Sequence, residues 1–183
     1  MTTPTVYPLG LRLIHWAMAA IILSLLFLGV AMVESLAPWQ TRALQAHKIL
    51  GLIALVLVIL RIALRLSSVT PALPDDLSAG QRAGAKAAHV ALYMAMMAMP
   101  LSGWAMQGAA GNPVILPGGI VLPALVSENL ALYGLLRETH GIVAWLFIGL
   151  VILHIGAALH HGLVRKDSVL GSMTGCNRHR KHG

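Results

Sequence analysis

The sequence predicts an all-α integral membrane protein: a four-helix bundle with both termini cytoplasmic. Three observations carry this expectation. The 183 residues are 57% hydrophobic and only 10% charged, where soluble domains carry about 25% charged residues, and mean hydropathy is +0.78. Four apolar stretches approach the roughly 20 residues that a spanning helix needs. The basic residues between those stretches sort to one side. The length suits one domain, expected over 1–170, followed by a basic cytoplasmic tail over 171–183.

The first span is expected over Leu13 to Val33, which contains no charge. Its apolar run exceeds the roughly 7–15 residues of a signal-peptide core, so it reads as a span rather than a leader. The second covers Ala43 to Leu66. Its uncharged part is only Ile49 to Leu60, so Lys48, Arg61 and Arg65 must snorkel near its ends. The third covers Ala87 to Gln107, with a kink expected at Pro100. The fourth covers Thr139 to Leu163. None shows the regular polar stripe of an amphipathic soluble helix. The connection Gly108 to Leu136 contains GNPVILPGGIVLP, rich in Gly and Pro yet apolar. It is expected to lie on the outer membrane surface or cap the bundle there.

With four spans, Arg12, Arg61, Arg65, Arg82, Lys86, Arg165, Lys166, Arg178, Arg180 and Lys181 fall on one side. Only Arg42, Lys48 and Arg137 fall on the other. The positive-inside rule makes the first side cytoplasmic. The acidic residues divide evenly, so the net +7 belongs to the cytoplasmic face. Anionic lipid accounts for that balance, and no nucleic-acid partner is expected. Cys176, the single cysteine, lies in the polar tail and cannot form an internal disulfide.

Ionisable groups inside spans are functional candidates by default. Four histidines stand out: His15, His47, His140 and His154. His140 and His154 share the fourth span, fourteen residues apart. That separation rises about 21 Å and returns to within about 40° of the same face. His47 matches His140 in depth toward the outer side, and His15 matches His154 toward the cytoplasm. Each pair draws on two helices facing one core, the way bundles build cofactor sites. Two imidazole pairs stacked across a membrane suit two six-coordinate haems, so two haems per chain are expected, with His15, His47, His140 and His154 as iron ligands.

Other residues fall into place around that expectation. Gly29, fourteen after His15, leaves room at the outer level, and Gly51 thins the second span one turn after His47. Gly141 adjoins His140. Arg61, fourteen after His47, offers a cation for haem propionates, or else is a snorkelling topology marker. His89 opens the third span with no depth-matched spare partner and reads as a neighbour of the inner site. The methionines of YMAMMAMP read as core filler. His160 and His161 read as interfacial or propionate neighbours, and His179 and His182 as part of the solvated tail.

At these residues the chain resembles the bacterial cytochrome b561 family. The motifs are RLIHW around His15, HKILG at His47 to Gly51, LRIALRL closing span two, and AAHVALY in span three. GNPV follows in the outer connection, then RETHG and LHIGAALHHGLVRKDSVL in and after span four. The resemblance runs nearly to Met173. It implies a four-helix inner-membrane protein with two b-type haems, ligated by His15 with His154 and by His47 with His140. One departure is visible: the family pattern places Lys-His-His after HIGAAL, where this chain has His160, His161 and Gly162.

Irons held by two histidines have no open position, which leaves one-electron transfer through the haem edges. The expected activity is electron transfer between a one-electron donor and the membrane quinone pool. The resemblance suggests superoxide as that donor, since some members are described as superoxide:quinone oxidoreductases; the near-neutral outer face gives no independent support. The runner-up is a membrane subunit relaying electrons for a partner dehydrogenase or hydrogenase. A histidine-bearing metal transporter is disfavoured, because no Asp or Glu lies within a span.

Overall fold

The computed structural model describes residues 5–34 and 37–175. Four long helices follow in order: α1 (Leu9–Glu34), α2 (Gln40–Leu66), α3 (Ala79–Ala109) and α4 (Leu130–Leu159). α4 runs on through a π-helical turn over His160–Arg165, and a short α5 (Ser168–Thr174) closes the described chain. Cys176, His179 and His182 lie outside the described residues.

Local chemistry sets the helix starts. Ser78 accepts from the backbone N–H of Gln81, and the Gln81 side chain accepts from the Ser78 N–H, a reciprocal box that begins α3. Asn129 caps α4 by accepting from the Leu132 N–H, and Asp167 caps α5 by accepting from Val169. The Asn129 cap explains why α4 begins nine residues before the apolar stretch at Thr139. The turns before it, LALYGLL over 130–136, are themselves apolar, and only Arg137 and Glu138 separate them from the span expected from Thr139. α3 likewise starts eight residues before Ala87. It continues through Pro100, whose missing N–H leaves one intrahelical bond unmade.

α1, α2 and the continuous stretch Leu130–Arg165 are each long and apolar enough to cross a membrane. α3, at 31 residues, is long enough at about 1.5 Å per residue. It is less apolar than the other three, because His89, Pro100, Ser102 and Gly103 interrupt its apolar stretch. Phe27, Leu66, Leu130 and Leu153 are at least 70% exposed. An apolar surface on this scale belongs against lipid rather than water.

The buried core is small: Met18 of α1 with Leu55 and Val58 of α2, flanked by Ile14, Ile22, Tyr93, Met96 and Met97. Two of the YMAMMAMP methionines therefore pack against the core, while Met94 faces outward. α1 packs on α2, α2 on α3, and α3 on α4. α4 does not pack closely on α1 or α2. That leaves a loose seam between the first and last long helices.

The connection between α3 and α4 caps one end. Leu116 and Ile120 bond through N–H and O at 2.8 Å, and Leu122 donates to Val114 O at 2.9 Å. Together with the Ile115–Val121 bridge these make a short hairpin. Gly118 and Gly119, at φ +87° and +80°, supply its turn. Gln45 of α2 donates to Ile115 O and Trp104 of α3 to Pro123 O, which ties the hairpin over the helix ends.

At the opposite end the N-terminal segment meets α5. Tyr7 N–H donates to Ser172 O. Arg12 donates to the carbonyls of Met173 and Thr174, and Trp16 Nε1 donates to Met173. Helix ends leave carbonyls unpaired, and these donors satisfy those of α5. This is called the proximal end below, and the hairpin end the distal one.

Candidate haem-binding sites

At the proximal end, α1 presents His15 and α4 presents His154 across the loose seam. Their ring centres lie 6.2 Å apart at an interplanar angle of 69°. Trp16 packs edge-on against His15 at 5.4 Å, and its indole N–H is held by α5. His89 of α3 stands 5.8 Å from His154, as near as His15 does. His89 thus has a partner of its own, which depth matching in the sequence did not supply.

Arg61 of α2 lies among these rings, within electrostatic reach of His15, His89 and His154. It is 8% exposed, so it is not a snorkelling side chain. Its Nη1 donates to Leu11 O at 2.8 Å and its Nε to the Tyr93 hydroxyl at 3.2 Å. A guanidinium carries five N–H donors, so those two bonds fix its orientation and leave others for an anion.

At the distal end, His47 of α2 and His140 of α4 lie within electrostatic reach of one another. Ser102 of α3 holds His140: its Oγ is 2.8 Å from His140 Nδ1. The same Oγ donates its one proton to Met99 O at 3.0 Å. With that proton on Met99 O, Ser102 accepts from a protonated Nδ1, and this tautomer leaves the His140 Nε2 lone pair for a metal. A hydrogen bond that fixes the ring tautomer is the usual companion of a metal-ligating histidine.

Two glycines make room for these rings. A Cβ on Gly29 would lie 3.6 Å from His47 Cε1, and one on Gly103 3.4 Å from His140 Cε1. Larger side chains at either position would press on an imidazole. At Gly51 and Gly141 a Cβ would meet nothing within 4 Å, so open space adjoins both.

The donor set fits haem. An imidazole nitrogen holds a transition metal at about 2 Å, and the ring centre sits about 1 Å behind it, so two rings on one metal stand about 6 to 6.5 Å apart. The His15–His154 spacing falls in that range. His47 Nδ1 is buried without a hydrogen-bond partner, which costs about 1–3 kcal/mol until something satisfies it. Among the described residues no group of three or more His, Cys, Asp and Glu converges to cage a bare metal ion. Pairs of imidazoles suit an iron whose other four positions a porphyrin fills.

His160 and His161 lie in the π-helical turn. His161 Nδ1 pairs with Asp167 Oδ2 at 2.6 Å, and Arg165 joins Asp167 to Asp76 of the α2–α3 connection. His161 is therefore engaged in a polar clasp that holds the end of α4 to α5. Ser102, Gly103 and Tyr93 escaped the sequence reading. A serine two residues past an in-span proline was the available signal for Ser102.

Apolar helices that face imidazoles across their interior have the build of an integral membrane b-type cytochrome. Residues 6–175 match the prokaryotic cytochrome b561 family, and the chain belongs to it. It is 29% identical to cytochrome b561 homolog 2 of Escherichia coli K12, covering 94% of this chain and 93% of that one. It is 30% identical to cytochrome b561 homolog 1 of the same strain, covering 69% and 71%. It is also similar, at 28% identity over 86% of its length, to the probable superoxide oxidase CybB of Yersinia pestis. Membership makes the chain an inner-membrane electron-transfer protein that works with haem b.

Proposed function

We propose that this chain is a di-haem cytochrome that passes electrons singly from superoxide to the quinone pool. His15 with His154, and His47 with His140, are the two ligand pairs. Arg61 and His89 flank the proximal haem, Arg61 offering its remaining N–H groups to the propionates. Gly29, Gly51 and Gly103 thin the helices around the distal one. The four long helices form a transmembrane bundle with both termini cytoplasmic, so the two haems sit one in each leaflet. The cytochrome domain spans 1–170, with 171–183 as its tail.

The observation that carries this reading is the 6.2 Å spacing of His15 and His154 across a seam where α1 and α4 do not pack. When bound, haem b supplies reversible one-electron chemistry with no open iron position. The protein's part is to hold each imidazole in one tautomer, exclude water and place a cation at the propionates. Two superoxide anions give up one electron each and leave as dioxygen. One quinone takes both electrons with two protons and leaves as quinol. The similarity to a probable superoxide oxidase supports the donor. Quinone and lipid are the partners that a membrane cytochrome of this family would meet.

Pulsed generation of superoxide in the presence of purified protein tests the reading. Reduction of the haem bands, followed by reoxidation on adding quinone, is the expected result. Bands that stay oxidised under superoxide, but are reduced through a co-purifying dehydrogenase or hydrogenase, would make the chain that partner's relay instead.

A further inference from the structure

His154 has two imidazoles beside it, one at metal-bridging distance and one just inside it. His15 lies 6.2 Å away and His89 5.8 Å, at similar angles of 69° and 64°. The two rivals sit on differently anchored helices. α3, which carries His89, packs directly along α4. α1, which carries His15, packs along α2, where Arg61 holds Leu11 O, and meets α4 only across the loose seam. Tyr93, one turn beyond His89, holds Arg61. The same face of α3 is thereby turned into the proximal site.

We infer that His89 is an alternative ligand of the proximal haem: His154 is the shared partner, and His89 can stand in for His15 when the His15 bond to iron is broken. In the exchange one iron–nitrogen bond breaks and another forms. Both ligands are neutral imidazoles, so the charge and oxidation state of the iron do not change. The inference rests on the reading that the His15–His154 pair holds haem, and adds that the site has two ligation states. Either ring could then hold the iron without emptying the site.

The test uses the full-length chain with His15→Ala, His89→Ala, the double variant and His154→Ala. Haem per chain and the low-spin bis-imidazole signature in electron paramagnetic resonance are read for each. His15→Ala is expected to keep both haems low-spin, with a shifted proximal signal. The double variant and His154→Ala are expected to lose the proximal haem and fall to half the haem content. Loss of the proximal haem, or its conversion to high spin, in His15→Ala overturns the inference. The distal haem retained in that same chain shows that the bundle is intact. A wild-type chain without a low-spin proximal haem would instead overturn the underlying reading of the site.

Discussion

The two ends of the molecule hold their imidazoles by different means. The proximal end is rich in polar groups: three rings, a buried guanidinium, a tyrosine hydroxyl and the Leu11 carbonyl of α1. The distal end is sparse. Its two rings have a single serine as partner and glycines against their edges. The proximal site is positioned by hydrogen bonds and charge, the distal one by shape. Charge near a haem stabilises the oxidised or reduced iron to different degrees, whereas tight packing mainly limits how the ring turns. The contrast separates tuning of potential from tuning of geometry.

The contrast breaks most completely at the rings that all else serves. His154→Ala should abolish the proximal haem and leave the distal one, halving haem per chain in the pyridine haemochrome assay. Arg61→Leu comes next. It removes charge-assisted bonds to Leu11 O and Tyr93, worth about 1.5–3 kcal/mol each. It should lower thermal stability and move the potential of the proximal haem alone in a redox titration. A shift of both haems would show that charge is not confined to one end.

At the distal end, Gly103→Leu should drive a side chain into the His140 ring and lose or unbalance that haem, while Gly103→Ala changes little. The ratio of the two haem bands checks this. Ser102→Ala removes the acceptor of the His140 Nδ1 proton. Loss of such a supporting bond typically weakens metal affinity about 10–100-fold. The distal haem should dissociate first under dilution into detergent, and Ser102→Thr should restore it.

The smallest effect concerns Asp167. Burial alone would raise its carboxyl, but hydrogen bonds from His161, the Val169 N–H and Arg165 outweigh that and hold it below the usual carboxylate range. A depressed carboxyl stabilises the fold above its unfolded value, and that stability is lost as pH falls through the folded one. The clasp should therefore persist at neutral pH and release only in acid, below the ordinary range of about 4. Limited proteolysis after α5 across a pH series reads it. Asp167→Asn should show the released pattern already at neutral pH.

The four long helices and the spacing of histidines along them were legible in the sequence because both depend on rise and hydropathy along one axis. The fourteen-residue spacing put His140 and His154 on one face of α4 without reference to any neighbour. What stayed hidden depends on how helices rotate against one another. Ser102 meets His140, and His89 meets His154, only because α3 turns that face inward. Arg61 reads equally well as a snorkelling or a buried side chain until α1 and α3 close over it. The hairpin and the π-helical clasp are made of short-range bonds that carry no periodic signal. The apolar first turns of α4 were hidden because Arg137 and Glu138 cut them off from the main apolar stretch, although Asn129 marks their start.

Both pairs share a helix. His140 and His154 are contributed by α4, which is made after the three other long helices. During synthesis the chain emerges from its N-terminus, so with the proposed ligand pairs no haem could be gripped from two sides until the last long helix is in place. Loading is thereby deferred to the end of biogenesis. A chain that stalls before residue 140 contains neither pair, and so sits in the membrane without a redox centre it has no means to control.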